Sequence, residues 1–233
     1  MRKYLGEFIG TLLFIFFVST SLVYMTAFQL SQVFDIMLIF GLAVGVTTYL
    51  FGSWSNGGYY NPAVTLGAMV QRKISWQTGL GYMLAQLVGA LVGMALTIAS
   101  INGIVNGQKV TQGQTLGTTE ILSALRPTST TSVGPYTFAV ELLLTFLVVY
   151  VTLKVLSEKK ATAPVLVGIV LTLAMFVAYP MTGGALNPVR VLAPLFFGGN
   201  PSWILALVYL VAEFLAGALA GLVATYDHSQ NKL

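Results

Sequence analysis

Two asparagines stand directly before prolines in a chain of long apolar runs. They are Asn61–Pro62–Ala63 within GGYYNPAVTLG (57–67) and Asn187–Pro188–Val189 within GGALNPVRVLA (183–193). Asparagine followed by proline is a helix start: the side-chain oxygen caps a free backbone N–H, and proline occupies the first turn, where its missing N–H costs nothing. The spacing predicts two short helices, from Pro62 to Val70 and from Pro188 to Phe197. Their chemistry is hydrogen bonding to something neutral. The carboxamides of Asn61 and Asn187 can donate, while the carbonyls of Gly57, Gly58, Tyr59 and Tyr60, and of Gly183, Gly184, Ala185 and Leu186, can accept. Glu7, Glu141, Glu213 and Arg190 also fall within apolar stretches. An ionisable side chain at membrane depth is expensive and marks a functional or paired position.

The elements that must position these groups follow from composition. The chain has 233 residues, 56% hydrophobic and 8% charged, against roughly 25% charged in an ordinary soluble domain. That is too little charge to cover a globular surface in water. Six apolar windows are each long enough to cross a bilayer, which takes about 20 residues: Tyr4–Ala27, Phe34–Ser53, Ile74–Ile101, Tyr136–Leu156, Ala161–Pro180 and Ser202–Tyr226. The first is too long for a signal-peptide core and no clear cleavage site follows it, so it reads as a span. The half-helices after Asn61 and Asn187 are half that length, so they cannot cross alone.

The net charge of +4 does not indicate nucleic acid. Arg2, Lys3, Arg72, Lys73, Lys154, Lys159, Lys160 and Lys232 fall on one side of a six-span topology, and Lys109 and Arg126 on the other. That asymmetry predicts a cytoplasmic membrane protein with both termini cytoplasmic. The chain lacks cysteine, which excludes thiol chemistry and disulfides. No phosphate-binding loop, Cys/His cluster or catalytic-triad pattern occurs, so an enzyme, a metal or a cofactor has nothing to stand on. His228 reads as part of a solvated tail.

One channel-like domain in two halves accounts for the motifs. EFIGT from Glu7 pairs with ELLLT from Glu141, and AQLVGALVG from Ala85 pairs with AEFLAGALAG from Ala212, which sets Gln86 opposite Glu213. Residues 1–101 and 135–226 each hold three spans, an odd number, so the second repeat is inserted upside-down. Residues 102–134, rich in Ser, Thr, Gly and Gln, form the expected external connection, and 227–233 a tail. In such a repeat the half-helices enter from opposite faces and meet N-terminus to N-terminus. Irregular backbone there is tolerated only where it is buried in protein or lines a watery cavity. Two positive helix ends repel cations and protons, while donors and acceptors along an apolar wall replace the hydration of an uncharged solute.

On these residues the sequence resembles the major intrinsic protein family, the aquaporins and aquaglyceroporins. EFIGT, GGYYNPAVTLG, AQLVGA, Glu141 and TGGALNPVR carry the likeness over nearly the whole chain. It implies an all-α fold of six spans plus two re-entrant half-helices, a homotetramer in the bilayer, and one pore per protomer for water, with glycerol-like neutral solutes as further candidates. It also implies an outer constriction of four residues: Phe40, Met175, Gly184 and Arg190. Counting back from Asn61 gives Gly41 instead of Phe40; the Phe–Gly pair favours Phe40, with one residue inserted in the loop. Water-selective members carry histidine where this chain has Met175, so the ring is expected to be less polar and wider, with Gly184 leaving space that Met175 could refill. The glycerol-conducting branch typically has Asp after the arginine, where this chain has Val191, and Val189 replaces the alanine of the second motif. The resemblance assigns Glu7 and Glu141 to holding the re-entrant loops. Glu213, where the family commonly has proline, reads as a structural buried carboxylate or a titratable gate. Tyr59 either lines the pore or packs the loop. The rival functions are an ion- or proton-coupled transporter, since inverted repeats with broken helices build those too, and a non-conducting structural tetramer.

Overall fold

The computed structural model describes residues 1–27, 33–107, 134–158, 160–197 and 203–230. Most of the 102–134 connection, with Lys109 and Arg126, lies outside the described residues, as do Lys159 and Lys232. The helices are α1 (Arg2–Ala27), α2 (Val33–Phe51), α3 (Pro62–Val70), α4 (Trp76–Gly107), α5 (Pro135–Ser157), α6 (Ala163–Thr182), α7 (Pro188–Leu195) and α8 (Trp203–Gln230), with a 3-10 turn at Gly52–Trp54. Six are long and apolar enough to cross a membrane: α1, α2, α4, α5, α6 and α8. The last runs on to Gln230, so residues 227–230 of the expected tail are helical and continue α8.

The two remaining helices are half-spans. α3 has 9 residues and α7 has 8; at about 1.5 Å per residue each covers roughly 12–14 Å of a ~30 Å hydrocarbon core. Placed end to end, they amount to one span. α7 stops at Leu195, with Phe196 as its cap, two residues short of the predicted end.

Leu42 and Tyr49 of α2, Leu80 and Leu84 of α4, Leu173 of α6 and Ile204 of α8 are exposed on the outer surface. Against lipid tails such side chains are as well solvated as in a core. Polar side chains point inward instead: Glu7, Gln86, Glu141 and Glu213 are all fully buried.

The contacts follow the duplication. α1 packs on α4 as α5 packs on α8, α1 on α2 as α5 on α6, and the halves join through α2 against α6, α3 against α8, and α7 against α4. Each half-helix therefore rests on the last span of the opposite repeat. Small residues permit the closest of these crossings. A Cβ on Gly217 would lie 2.4 Å from the Ala63 carbonyl oxygen, and one on Gly221 2.5 Å from that of Gly67. On one membrane face Lys3 Nζ donates to Thr78 Oγ1 at 3.0 Å, tying α1 to α4, and Lys154 pairs with Asp227 at 3.0 Å, tying α5 to α8.

A candidate pore where two half-helices meet

Asn61 and Asn187 cap α3 and α7 as expected. Asn61 Oδ1 accepts from the Ala63 N–H at 2.8 Å, and Asn187 Oδ1 from the Val189 N–H at 3.2 Å. The amide ends do something the spacing did not reveal. Asn61 Nδ2 donates to the Leu186 carbonyl at 2.8 Å, and Asn187 Nδ2 donates to the Tyr60 carbonyl at 3.0 Å. Each asparagine thus caps its own helix and clasps the residue preceding the other. A carboxamide nitrogen carries two hydrogens and a carbonyl two lone pairs, so one of each remains for a solute.

The residues before the asparagines carry strain. Tyr60 and Leu186 both have φ of 50°, a left-handed conformation that costs a non-glycine residue about 1–2 kcal/mol. Gly58 and Gly184, two positions earlier, also have positive φ, 81° and 60°, where glycine is at ease. The turn is held because its N–H groups have a charged acceptor. Glu7 Oε1 accepts from Ser55 Oγ at 2.6 Å and from the Tyr59 N–H at 3.0 Å, and Oε2 from the Tyr60 N–H at 2.8 Å and Gln86 Nε2 at 2.7 Å. Glu141 repeats the device: Oε1 accepts from Thr182 Oγ1 and the Ala185 N–H (3.2 Å), and Oε2 from the Leu186 N–H at 3.0 Å. Hydrogen bonds to an ionised group are roughly twice as strong as neutral ones. Glu213 Oε1 accepts from the Asn187 N–H at 2.9 Å. The three carboxylates are anchors for loop backbone.

Arg190 leaves α7 one turn after Asn187, and its Nη1 donates to the Gly184 carbonyl and, at 3.0 Å, to the Ala185 carbonyl. Its guanidinium carbon lies 4.3 Å from the centre of the Phe40 ring, within reach of a cation–π attraction. Phe40 is therefore the α2 residue beside the arginine. Gly41 faces elsewhere: a Cβ there would lie 1.9 Å from Thr172 Oγ1 and 2.4 Å from the Gly168 carbonyl of α6, so it serves helix packing.

The other two ring candidates meet each other. A Cβ on Gly184 would lie 2.8 Å from Met175 Sδ, and Met175 is fully buried. The space left by glycine is thus taken by the thioether, the refilling that a flexible methionine allows. Neither residue forms part of the wall of the central cavity.

That cavity, ≈ 30 Å³, is bounded by Asn61, Asn187, Arg190, Phe40, Tyr59, Tyr60, Ala185 and Leu186, with aliphatic side chains such as Val44, Val148 and Leu171 completing it. A cavity holds a water once about one water-sized sphere, roughly 10–15 Å³, fits inside it, so this one has room for water. Tyr59 lines this cavity and also a vestibule of ≈ 670 Å³ containing Lys73 and Lys160. It packs as well, its ring edge-on to Tyr82 at 6.0 Å, so both readings of Tyr59 describe its position. Among the described residues no cluster of metal-ligating side chains occurs.

Several residues went unnoticed in the sequence. Ser55 and Thr182 present hydroxyls to Glu7 and Glu141. They stand six and five residues before their asparagines, a recurrence that could have flagged them. Tyr209, whose hydroxyl donates to the Thr182 carbonyl, had no such signal.

Comparison with known proteins places this arrangement. The family model described as Major intrinsic protein matches residues 1–224. The chain is 34% identical over 235 residues to a protein named glycerol uptake facilitator protein-like 6 of Lactiplantibacillus plantarum, covering 99% of this chain and 100% of that one. It is 30% identical over 234 residues to aquaporin TIP2-3 of Arabidopsis thaliana, covering 96% and 86%. Its fold matches the X-ray structure of the aquaglyceroporin from Plasmodium falciparum with a TM-score of 0.78 at 23% identity, over 96% of this chain and 95% of that one.

Proposed function

Because the chain belongs to the major intrinsic protein family, it is a multi-pass membrane channel and not an enzyme, and we propose that water is its principal solute. The observation that carries this reading is the pair of asparagines. Both carboxamides reach one narrow cavity from the N-terminal ends of two half-helices. A water arriving there exchanges bulk partners for one N–H from each asparagine and the free lone pairs of neighbouring carbonyls. The aliphatic wall offers nothing sideways, so the molecules pass in file. Two helix N-termini and the Arg190 guanidinium give the path a positive interior, which disfavours hydronium and other cations.

Glycerol is the second candidate solute, favoured by the name of the Lactiplantibacillus plantarum relative. Its passage needs Met175 to withdraw from Gly184, a movement that an unbranched thioether allows. We place the constriction at Phe40, Met175, Gly184 and Arg190, and read 1–101 and 135–226 as the two repeats of a single channel domain, 102–134 as the connection, and 227–233 as its end. We further propose both termini inside a cytoplasmic membrane, from the eight-to-two split of Lys and Arg across the spans, and a homotetramer, from membership of the family.

The test is stopped-flow light scattering on proteoliposomes under an osmotic or a glycerol gradient. Water permeability well above that of empty vesicles, with glycerol permeability raised much less, is the expected outcome. Water permeability equal to that of empty vesicles sinks the reading. Solute uptake that follows an imposed proton gradient favours the coupled transporter instead.

A further inference from the structure

We propose that Tyr59 is an inner constriction of the channel, in series with the outer one, and that its ring limits the rate at which water passes. This rests on the reading of the chain as a water channel. Two chambers lie in line. The central cavity of ≈ 30 Å³ is bounded by both asparagines, and the vestibule of ≈ 670 Å³ by Lys73 and Lys160. Three long helices pass from one to the other in register. On α2, Val44 lines the cavity and Thr48 the vestibule; on α5, Thr152 and Leu156 divide in the same way, as do Val167 and Ala163 on α6. Each pair is four residues apart, which on a helix is the same face one turn along. The chambers are therefore successive stretches of one conduit, and the boundary crosses all three helices within a turn.

Tyr59 is the residue that the two walls share. Its place is fixed from behind. Its N–H donates to Glu7 Oε1 at 3.0 Å, and it stands between Gly58 and Tyr60, whose φ of 81° and 50° set the turn. Its ring meets that of Tyr82 edge-on at 6.0 Å. Tyr82 is in turn edge-on to Tyr4 at 5.7 Å and donates its hydroxyl to Asn56 Oδ1 at 2.7 Å. The Tyr59 ring is thus backed by an anchored one and cannot retreat that way without displacing it. Polar groups stand on both sides of the boundary. Thr48 and Thr152 are buried, and neither Oγ1 has a hydrogen-bond partner among the described residues. Thr47, beside Thr48, satisfies its hydroxyl on the Ala43 carbonyl at 2.9 Å. A buried hydroxyl without a partner is costly; water in the vestibule for Thr48, and in the cavity for Thr152, supplies one. Thr11, Thr137 and Thr145 share the orphaned hydroxyl but line neither chamber.

The chain lacks cysteine, so one introduced thiol reports on one place. Thr152→Cys puts it on the cavity side of Tyr59, and Ser157→Cys on the vestibule side. In proteoliposomes, the rate of labelling by methyl methanethiosulfonate, a small neutral reagent, is compared with and without Tyr59→Ala. The expected result is several-fold faster labelling of Thr152→Cys once Tyr59→Ala is added, with Ser157→Cys labelled equally fast in both backgrounds. In the chain without an introduced thiol, Tyr59→Ala raises water permeability several-fold. Tyr59→His, a smaller ring in the same seat, changes both readouts in the same direction and gives the answer where alanine does not fold. Thr152→Cys labelled equally fast in both backgrounds, or water permeability that neither variant raises, overturns the proposal. Labelling needs no water flux. An unmodified channel impermeable to water therefore sinks the water reading, whereas labelling indifferent to Tyr59 in a permeable channel sinks the constriction alone.

Discussion

The first re-entrant loop is held by one carboxylate and the second by two carboxylates and a guanidinium, although both loops have the same backbone. Around Asn61 the charged group is Glu7, which accepts four hydrogen bonds from Ser55, Tyr59, Tyr60 and Gln86. Around Asn187, Glu141 accepts three, Glu213 one, and Arg190 binds carbonyls of the same loop. Three residues after Asn61, at the position of Arg190, stands Val64. The difference teaches that a duplicated scaffold can keep one backbone motif while surrounding its two copies with different charges. Holding a loop needs only an acceptor for its N–H groups. A guanidinium buried beside the loop needs acceptors of its own, which the Gly184 and Ala185 carbonyls supply.

The largest effect should come from removing the anchors. Glu7→Ala leaves four buried donors without an acceptor, at about 1–3 kcal/mol each, comparable with a whole domain's stability of roughly 5–15 kcal/mol. Little or no folded protein is expected, measured as the monodisperse fraction on size exclusion after extraction. Glu141→Ala removes three partners and should be milder by several degrees in Tm. If Glu141→Ala is the more damaging, the first loop is not the purely structural one.

Next is Arg190→Val, which gives the second loop the residue that the first has at Val64. Proton or monovalent-cation leak through proteoliposomes should rise about tenfold or more, the effect of lowering a barrier by ~1.4 kcal/mol, while water flux is retained. An unchanged leak would assign discrimination to the helix ends alone and erase the functional contrast between the loops.

Met175→Ala comes third. Removing the thioether from its seat on Gly184 should raise glycerol permeability several-fold and change water permeability less than about twofold, since one or a few methylenes are worth only ~1–3 kcal/mol of discrimination in an apolar pocket. Glycerol flux that stays flat would mean that Phe40 and Arg190 set the width by themselves.

The smallest effect concerns how each half-helix is seated. Counting from the Gln86–Glu213 match, Ala90 and Met94 of α4 correspond to Gly217 and Gly221 of α8. Gly217→Ala pushes a Cβ to 2.4 Å from the Ala63 carbonyl, and overpacking of this kind costs about 1–3 kcal/mol. Ala90→Gly should cost about 1 kcal/mol, the helix-propensity difference. The Tm difference between the two variants measures how much more tightly α3 is seated than α7.

Much of this molecule was legible without coordinates because its signals are local. Six apolar runs state six spans through length and the energetics of lipid. The Asn–Pro pairs state two helix starts, through capping and the tolerance of proline in a first turn, and α3 begins and ends where those rules put it. The duplication of Glu7 in Glu141, and of Asn61 in Asn187, states an inverted repeat. The end of α7 was less legible, since nothing in PLFFGG distinguishes Leu195 from Phe197 as a last helical residue.

What only the tertiary structure decided are relations between residues far apart in the chain. The clasp of each asparagine on the carbonyl before the other needs both half-helices in place. That Phe40, and not Gly41, stands beside Arg190 depended on which face of α2 meets α7 and which meets α6. The filling of Gly184 by Met175 Sδ depended on the approach of α6 to the second loop, one of the two arrangements the residue types left open. That Glu213 Oε2 has no hydrogen-bond partner among the described residues depends on what packs around α8. Sequence patterns encode the preferences of single segments, whereas a pore's width, its charge balance and its unpaired atoms belong to the space between segments, which no segment specifies alone.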